Sequence, residues 1–381
     1  MSPPTGRVRP MDPEDVPRVA ALYATVFGVR GAGALEGLRQ ALDEMFFRHP
    51  WDDDRLPSLV YETRSRAIVG CLGVMPRPMC VNGRRVQAAI SHTCMVDPGS
   101  RTTLAGMDLI RAFLSGPQDV SIAQGTDRSR RIFEAVGGST SLLHSMGWTR
   151  LLRPSRYALA FLGRHGLPAV VSAALTPWCR AADALAGRIL PHPFRRPAAG
   201  PPGERLDPES LAACVADVAR DRALRPIYDG ASLKWLLELL ARQDGDVVFD
   251  GSIVRDASAE IIGAYLYYRH ASGVGDVVQL LARPTSVTAV FDHLFNDAYR
   301  HGLVAVSGQL DPRLVPALGA RQCLFTRGDG SWLLLHSREP DLLAAVYRGD
   351  ALLTRLEAEW WIGFVLARSL FRGGADADHG A

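Results

Sequence analysis

The segment that most constrains the fold spans residues 90–114. Its sequence predicts an apolar strand that ends at Asp97-Pro98, a short loop of small residues up to Gly106, and a helix over residues 107–114. Backbone N–H groups at a helix start lack intrahelical partners, and the helix dipole places partial positive charge there. The pattern therefore predicts a cradle for a phosphate or pyrophosphate, although an ordinary strand–loop–helix connection looks the same locally.

The flanking sequence predicts that this segment belongs to a mixed sheet. Residues 59–62 and 67–75 are largely apolar runs separated by a turn, and Asn82-Gly83 is a pair that favours a tight hairpin before the next strand. A further strand at 120–123 follows the helix, so antiparallel and parallel pairing are expected in one sheet. The expected fold class is α/β with an α+β mixed sheet.

The second half of the chain repeats this order of elements. Strands are predicted at 247–254, 261–269, 277–281 and 304–308, with a helix at 288–301. In this copy Pro284 lies where the cradle loop should be, and proline offers no amide donor, so the copy is expected to be degenerate. We expect tandem domains at 1–150 and 206–372, a Pro/Arg-rich and partly helical connector at 151–205, and a flexible tail at 373–381.

Composition narrows the functional class. The formal net charge is +3 and no long basic run is interleaved with aromatics, so nucleic acid is not an expected partner. The six cysteines are scattered without a Cys-x-x-Cys pair, which argues against a zinc site and a disulfide framework and favours a reducing cytoplasm. We recognise no signal peptide, and the longest apolar stretch, near residues 167–175, is short of the ~20 residues of a membrane span.

The cradle segment resembles the coenzyme A-binding core of the GNAT superfamily of N-acetyltransferases. Met95-Val96-Asp97-Pro98 resembles the family's strand end, Arg101 matches the first position of its loop and Gly106 the last, whereas Leu104 replaces the middle glycine. The opening stretch 8–23 and residues 129–138 also resemble family elements. The resemblance implies an acetyl-CoA or other acyl-CoA co-substrate, no metal, and a cofactor-binding set formed by Met95, Val96, Arg101, Thr102, Thr103, Leu104, Ala105, Gly106, Ser129 and Phe133.

The resemblance also implies catalytic roles. A backbone N–H near Met95 and Val96 would polarise the thioester carbonyl, and His92 occupies a position where some members carry the general base, for which an imidazole is suited near neutral pH. A hydrogen-bonded structural histidine is the alternative. Cys94 is expected on the same strand face as His92, as a weaker nucleophile candidate or a packing residue.

The tyrosine that often acts as the family's general acid is replaced by Phe133. Either the thiolate leaves unassisted, or another group such as Tyr157 helps, or catalysis has been lost. The surroundings of Phe47 and Trp51 resemble a GNAT subset associated with bacterial polysaccharide or surface-glycan biosynthesis, which implies a substrate-side aromatic wall. A core aromatic pair is the alternative.

Three functions remain open from the sequence. The first is a cytoplasmic acyl-CoA-dependent N-acyltransferase that acts on an amine of a small molecule or glycan precursor, bound in a cleft between the domains. The second is a tRNA-dependent aminoacyl transferase that resembles the tandem peptidoglycan-bridge enzymes. The third is a non-catalytic acyl-CoA-binding module, which is motivated by Leu104 and Phe133 together.

Overall fold

A computed structural model describes residues 6–100, 104–189, 203–242, 247–327 and 331–366. Short 3₁₀ helices apart, its elements follow in chain order. The strands are β1 (Gly6–Pro10), β2 (Leu59–Thr63), β3 (Ile68–Val81), β4 (Arg84–Val96), β5 (Val120–Gly125), β6 (Ser139–Ser141), β7 (Gly147–Leu151), β8 (Glu204–Arg205), β9 (Leu224–Pro226), β10 (Val247–Arg255), β11 (Ile261–His270), β12 (Val274–Ala282), β13 (Ala305–Gln309), β14 (Leu324–Thr326) and β15 (Trp332–Ser337). The helices are α1 (Val16–Phe27), α2 (Ala32–Phe47), α3 (Ala105–Leu114), α4 (Asp127–Ala135), α5 (Pro154–Arg164), α6 (Ala169–Ile189), α7 (Pro208–Val218), α8 (Gly230–Ala241), α9 (Val287–Arg300), α10 (Val315–Ala320) and α11 (Pro340–Tyr347).

The chain divides into two compact units, each with its own mixed sheet. The predicted mixed α/β class is confirmed. The first unit comprises Met1–Leu143, Arg222–Leu240 and Gly330–Ala381, and the second comprises His144–Asp221 and Ala241–Asp329. Among the described residues, no helix combines the length and apolar character needed to span a bilayer.

The sheet of the first unit has the strand order β1-β2-β3-β4-β5-β15-β6, and β9 pairs with β3. Its pairs are antiparallel except for the parallel pair β4 and β5. The predicted hairpin joins β3 to β4, and Asn82 and Gly83 both take positive φ values, +47° and +87°, as a primed two-residue turn requires. The strands and helices predicted around the cradle are therefore confirmed.

Helices cover both faces of this sheet. Leu72, Val74 and Ala89 belong to one hydrophobic cluster with Leu109 and Phe113 of α3. On the opposite face the ring of Phe46, on α2, lies 5.0 Å from the ring of His92. Because both faces are covered, β3 is buried along most of its length.

The sheet of the second unit has the order β14-β7-β13-β12-β11-β10-β8, with β12 and β13 parallel. Its core packs α9 against the sheet, with Tyr265, Phe291 and Leu294 almost fully buried. Each sheet includes a strand from the other half of the sequence, because β7 lies between β13 and β14 while β15 lies between β5 and β6. The units are consequently discontinuous in sequence, and the boundaries expected at residues 150 and 205 stay a prediction.

Candidate active site

The central feature of the first unit is a separation between two parallel strands. β4 and β5 pair from Ala88 to Ile90 with Val120 to Ile122, and no later pair joins them although both strands continue. At the point of separation β4 contains a bulge. Gly73 lies opposite His92 and Cys71 lies opposite Met95, so β4 carries one residue more than β3 over this stretch.

The bulge turns a backbone N–H toward the gap. Thr93 adopts φ +52°, which is unusual for a non-glycine residue. Its N–H donates to Oε1 of Glu359 over 2.9 Å, and the N–H of Gln124 on β5 also donates to the Glu359 carboxyl group. The carboxyl of Glu359 therefore lies between the separated strands and accepts a hydrogen bond from each.

Among the groups described at this gap, Glu359 has the pKa closest to neutral pH. Burial raises its pKa to about 7, while the two backbone donors oppose the rise. Its surroundings are also titratable: burial raises the pKa of Tyr23 on α1, and the negative charge of Glu359 adds to that shift. A carboxyl with this pKa exchanges its proton readily at physiological pH.

His92 lies immediately before the bulge and is 0% exposed. Its Nδ1 is 3.0 Å from Oγ1 of Thr93, and in the part of the chain that the structure describes its buried Nε2 has no hydrogen-bond partner. Burial lowers the pKa of the imidazole to about 3, and the nearby His49 contributes to that shift. His92 is thus a neutral imidazole at pH 7. The ring covers Gly73, where any Cβ would overlap it.

Cys94 does not share a face with His92, and that expectation is wrong. The extra residue at the bulge shifts the alternation, so that Met95, which is buried, comes into phase with His92 while Cys94 is exposed. Val96 lies near the start of α3, since a Cβ on Gly106 would lie 3.4 Å from its Cγ2. The Cys94 nucleophile role has no supporting contact with His92.

The predicted cradle is described in part. Arg101, Thr102 and Thr103 lie outside the described residues. Leu104 is the N-cap residue of α3, contributes no side-chain capping hydrogen bond, and is 61% exposed. Its φ is −77°, so the position that the family fills with glycine does not require a left-handed backbone here. Ala105 is buried and opens the helix together with Gly106.

The remaining predicted site residues have structural contacts. Ser129 lies in the first turn of α4, where its N–H donates to Oγ1 of the N-cap residue Thr126. Phe133 is buried in the hydrophobic cluster around α3. Tyr157 lies on α5 of the second unit.

The aromatic pair predicted as a substrate wall has one buried member. Trp51 is 6% exposed and Phe47 is partly buried. The guanidinium of Arg77 lies 3.9 Å from the centre of the Trp51 ring, and Trp235 meets that ring edge-on at 5.7 Å. Trp51 therefore serves as a stacking partner for a charged side chain.

Sequence reasoning missed Glu359 and Arg77. Glu359 follows Thr93 by 266 residues, and no motif joins the two segments. The sequence around Glu359 combines charge with Trp360 and Trp361, which is the one signal that distinguished this segment.

Comparisons with solved structures find chains with a similar overall fold. The chain superposes on a GCN5-related N-acetyltransferase from Anabaena variabilis with a TM-score of 0.57 at 11% identity, covering 88% of this chain and 74% of that one. A GCN5-related N-acetyltransferase from Kribbella flavida superposes with a TM-score of 0.52 at 16% identity, covering 87% of this chain and 71% of that one. Saccharomyces cerevisiae N-myristoyltransferase with bound myristoyl-CoA superposes with a TM-score of 0.51 at 12% identity, covering 88% of this chain and 79% of that one. No protein-family model and no curated protein matches the chain. These superpositions identify the fold of this chain as the GNAT fold.

Proposed function

We propose that this chain is an acyl-CoA-dependent N-acyltransferase that acylates an amine of a small molecule or glycan precursor. The observation that carries the proposal is the Thr93 N–H, presented by a strand bulge at the gap between β4 and β5 and close in sequence to the start of α3. The fold neighbours named as N-acetyltransferases, and the one with bound myristoyl-CoA, support an acyl-CoA as donor.

The Thr93 N–H is suited to stabilise negative charge on a thioester carbonyl oxygen. Oε1 of Glu359 accepts a hydrogen bond from this N–H in the structure. An oxygen that develops charge in the transition state would take its place, and a fixed backbone donor in a buried site stabilises such charge without reorganisation. The acyl donor supplies the thioester, and the chain supplies the donor that polarises it.

Glu359 is the better general base for the attacking amine. A base works best when its pKa lies near the operating pH, and the pKa of Glu359 is about 7 whereas that of His92 is about 3. The amine nitrogen bonds to the carbonyl carbon, its proton passes to the Glu359 carboxylate, and the carbon–sulfur bond breaks. The protonated carboxyl can then return the proton to the departing thiolate. Phe133, which replaces the family's general-acid tyrosine, has no proton to donate in this step. The role of His92, which is hydrogen-bonded to Oγ1 of Thr93, is then to hold the bulge in position.

The second unit is inferred to be a degenerate GNAT-like domain. Its run β10-β11-β12, followed by α9 and the parallel strand β13, has the same order as β2-β3-β4, α3 and β5. At its loop, Nε of Arg283 is 2.6 Å from Oδ2 of Asp217, so this arginine is engaged by a carboxylate, and Pro284 lacks an amide donor. We expect one acyl-CoA per chain.

Calorimetry tests the donor. Acetyl-CoA, longer acyl-CoAs and free coenzyme A are titrated into the wild type, Gly106→Glu and Gly230→Glu. Gly230 opens α8 with open space around it, so its variant is a matched control at a different helix start. We expect one site in the wild type and the control, and at least a tenfold loss in Gly106→Glu, because a carboxylate repels phosphate at the helix start. Absence of binding by every acyl-CoA, or unchanged affinity in Gly106→Glu, would overturn the proposal.

A further inference from the structure

A buried charge lies on the α2 side of the first unit's sheet, away from the strand gap. Arg77 on β3 is 3% exposed. Its guanidinium stacks on Trp51 at 3.9 Å from the ring centre and lies 5.1 Å from that of Tyr228. Since an arginine is almost always charged, burial at this depth requires compensation by ion pairing or hydrogen bonding.

The compensation found is incomplete. Nη2 of Arg77 donates to the hydroxyl of Tyr228 over 2.7 Å, and that hydroxyl donates in turn to the Glu357 carboxylate. The carboxylate also accepts the N–H and hydroxyl of Thr354 at 2.8 and 2.6 Å. The Tyr228 hydroxyl therefore binds one edge of the guanidinium and separates its charge from that of the Glu357 carboxylate. Nη1, on the other edge, has no hydrogen-bond partner among the described residues.

Unpartnered polar atoms also lie on two side chains near Arg77, namely the stacked Trp51 and His49. Within the ranges that the structure covers, Nη1 of Arg77, Nε1 of Trp51 and Nδ1 of His49 are all buried without a hydrogen-bond partner. His49 has its pKa lowered to about 4, first by burial and in part by the charge of Arg77, while Asp52 opposes the shift. Native proteins pair most such atoms, so three on neighbouring side chains, one of them a buried guanidinium, favour a ligand site.

We propose that Arg77, Trp51 and His49 bind a carboxylate of the acceptor substrate. This inference rests on the proposed acyltransfer and names its acceptor class. A carboxylate carries the single charge that one arginine matches, its two oxygens suit the planar donors of guanidinium, and the indole N–H of Trp51 adds a neutral donor. Tyr228 and Trp51 hold the guanidinium rigid, so little conformational entropy is lost on binding.

The strand register gives the length of the acceptor. Arg77 lies opposite Ala88, and Gly73 lies opposite His92, so the carboxylate site is four residues along the strands from the bulge. At ~3.3 Å per residue this separation is about 13 Å between backbone positions. An α-amino acid is too short to join the two sites, and the expected acceptor is an extended amine whose carboxylate lies several bonds from the reacting nitrogen.

Matched amines test this acceptor class. With the acyl-CoA that binds best, kcat/KM is measured for 8-aminooctanoate and octylamine, and for glycine as the short carboxylated amine. The variants are Arg77→Gln, Trp51→Phe, which keeps a stacking ring but removes the N–H, and Arg85→Gln, an exposed control on β4. Binding of octanoate alone is followed by tryptophan fluorescence, without acyl-CoA.

We expect the wild type and Arg85→Gln to prefer 8-aminooctanoate over octylamine and glycine by tenfold or more. Arg77→Gln should lower kcat/KM for the carboxylated amine at least tenfold more than for octylamine, and Trp51→Phe severalfold more. Equal losses on both amines in folded variants, or no preference in the wild type, would overturn the carboxylate site. If Arg77→Gln does not fold, Trp51→Phe decides. Acyl-CoA binding without octanoate binding refutes this inference alone. Octanoate binding without acyl-CoA binding refutes the acyltransferase proposal, and with it the acceptor role, while the carboxylate site itself stands.

Discussion

The pH dependence of Glu359→Gln distinguishes the two candidate bases. With a pKa of about 7, the Glu359 carboxyl is about one-tenth ionised at pH 6 and about one-hundredth at pH 5. If it is the base, kcat/KM rises tenfold per pH unit up to about pH 7 and then levels. If His92 is the base, its pKa of about 3 leaves kcat/KM flat from pH 5 to 8.

The assay uses an acceptor amine whose own pKa is below 5, so that its ionisation does not enter the profile. Thiol release from acyl-CoA is followed between pH 5 and 8.5 for the wild type, Glu359→Gln and Glu238→Gln, an exposed glutamate on α8 that serves as the control. Because a positioned general base contributes about 10²- to 10⁴-fold, Glu359→Gln should lose that factor at pH 8 and show no limb near pH 7.

Two results would refute the assignment to Glu359. One is a pH profile of Glu359→Gln in which kcat/KM still rises up to about pH 7 and is reduced less than tenfold relative to the wild type. The other is a wild-type profile that is flat down to pH 5 and collapses only in His92→Ala, which would restore His92 as the base. Acyl-CoA affinity measured in the same variants separates loss of catalysis from loss of binding.

Other perturbations test the local structure. The Glu359 pKa is raised from 4.5 to about 7, so its favourable contribution to stability is complete below pH 4.5 and is lost as pH rises through 7; denaturant titration should show Glu359→Gln gaining stability relative to the wild type over that window, and a constant difference would contradict the buried carboxyl. Gly73→Ala should destabilise the chain by about 1–3 kcal/mol in urea unfolding, because a Cβ would overlap the His92 ring; wild-type stability would mean that the ring does not lie there. Leu104→Gly should leave acyl-CoA affinity within threefold in calorimetry, because φ at this position is −77°; a large gain would mean that bound coenzyme A needs a left-handed residue.

The helices, strands and turns around the cradle could be predicted from the sequence because they depend on residues close to one another in the chain. Alternating and continuous apolar runs predicted β2 to β5, and the Asn82-Gly83 pair predicted the turn that the structure confirms. The resemblance around Val96 and Gly106 pointed to the GNAT fold, which the structural comparisons bear out. These signals depend on neighbours within one element or one turn.

The bulge was not readable in the same way. Thr93 adopts its left-handed conformation without the glycine that usually marks such positions, and one inserted residue reverses the side-chain alternation after it. The face assigned to Cys94 was wrong for that reason. The placement of β7 in the second sheet and of β15 in the first was likewise hidden, since a short strand does not record which sheet it will join.

The sequence by itself determined β2 to β5 of the first sheet, the hairpin between β3 and β4, and the helix start of the GNAT-like cradle, because propensity and turn chemistry act over a few residues. Only the tertiary structure decided which groups meet at the gap and which surround Arg77. It brings Glu359 to the N–H of Thr93 and encloses Arg77 between Trp51 and Tyr228. Burial then sets their chemistry, because the removal of water raises the pKa of one carboxyl, lowers that of His92 and makes an unpaired guanidinium edge costly.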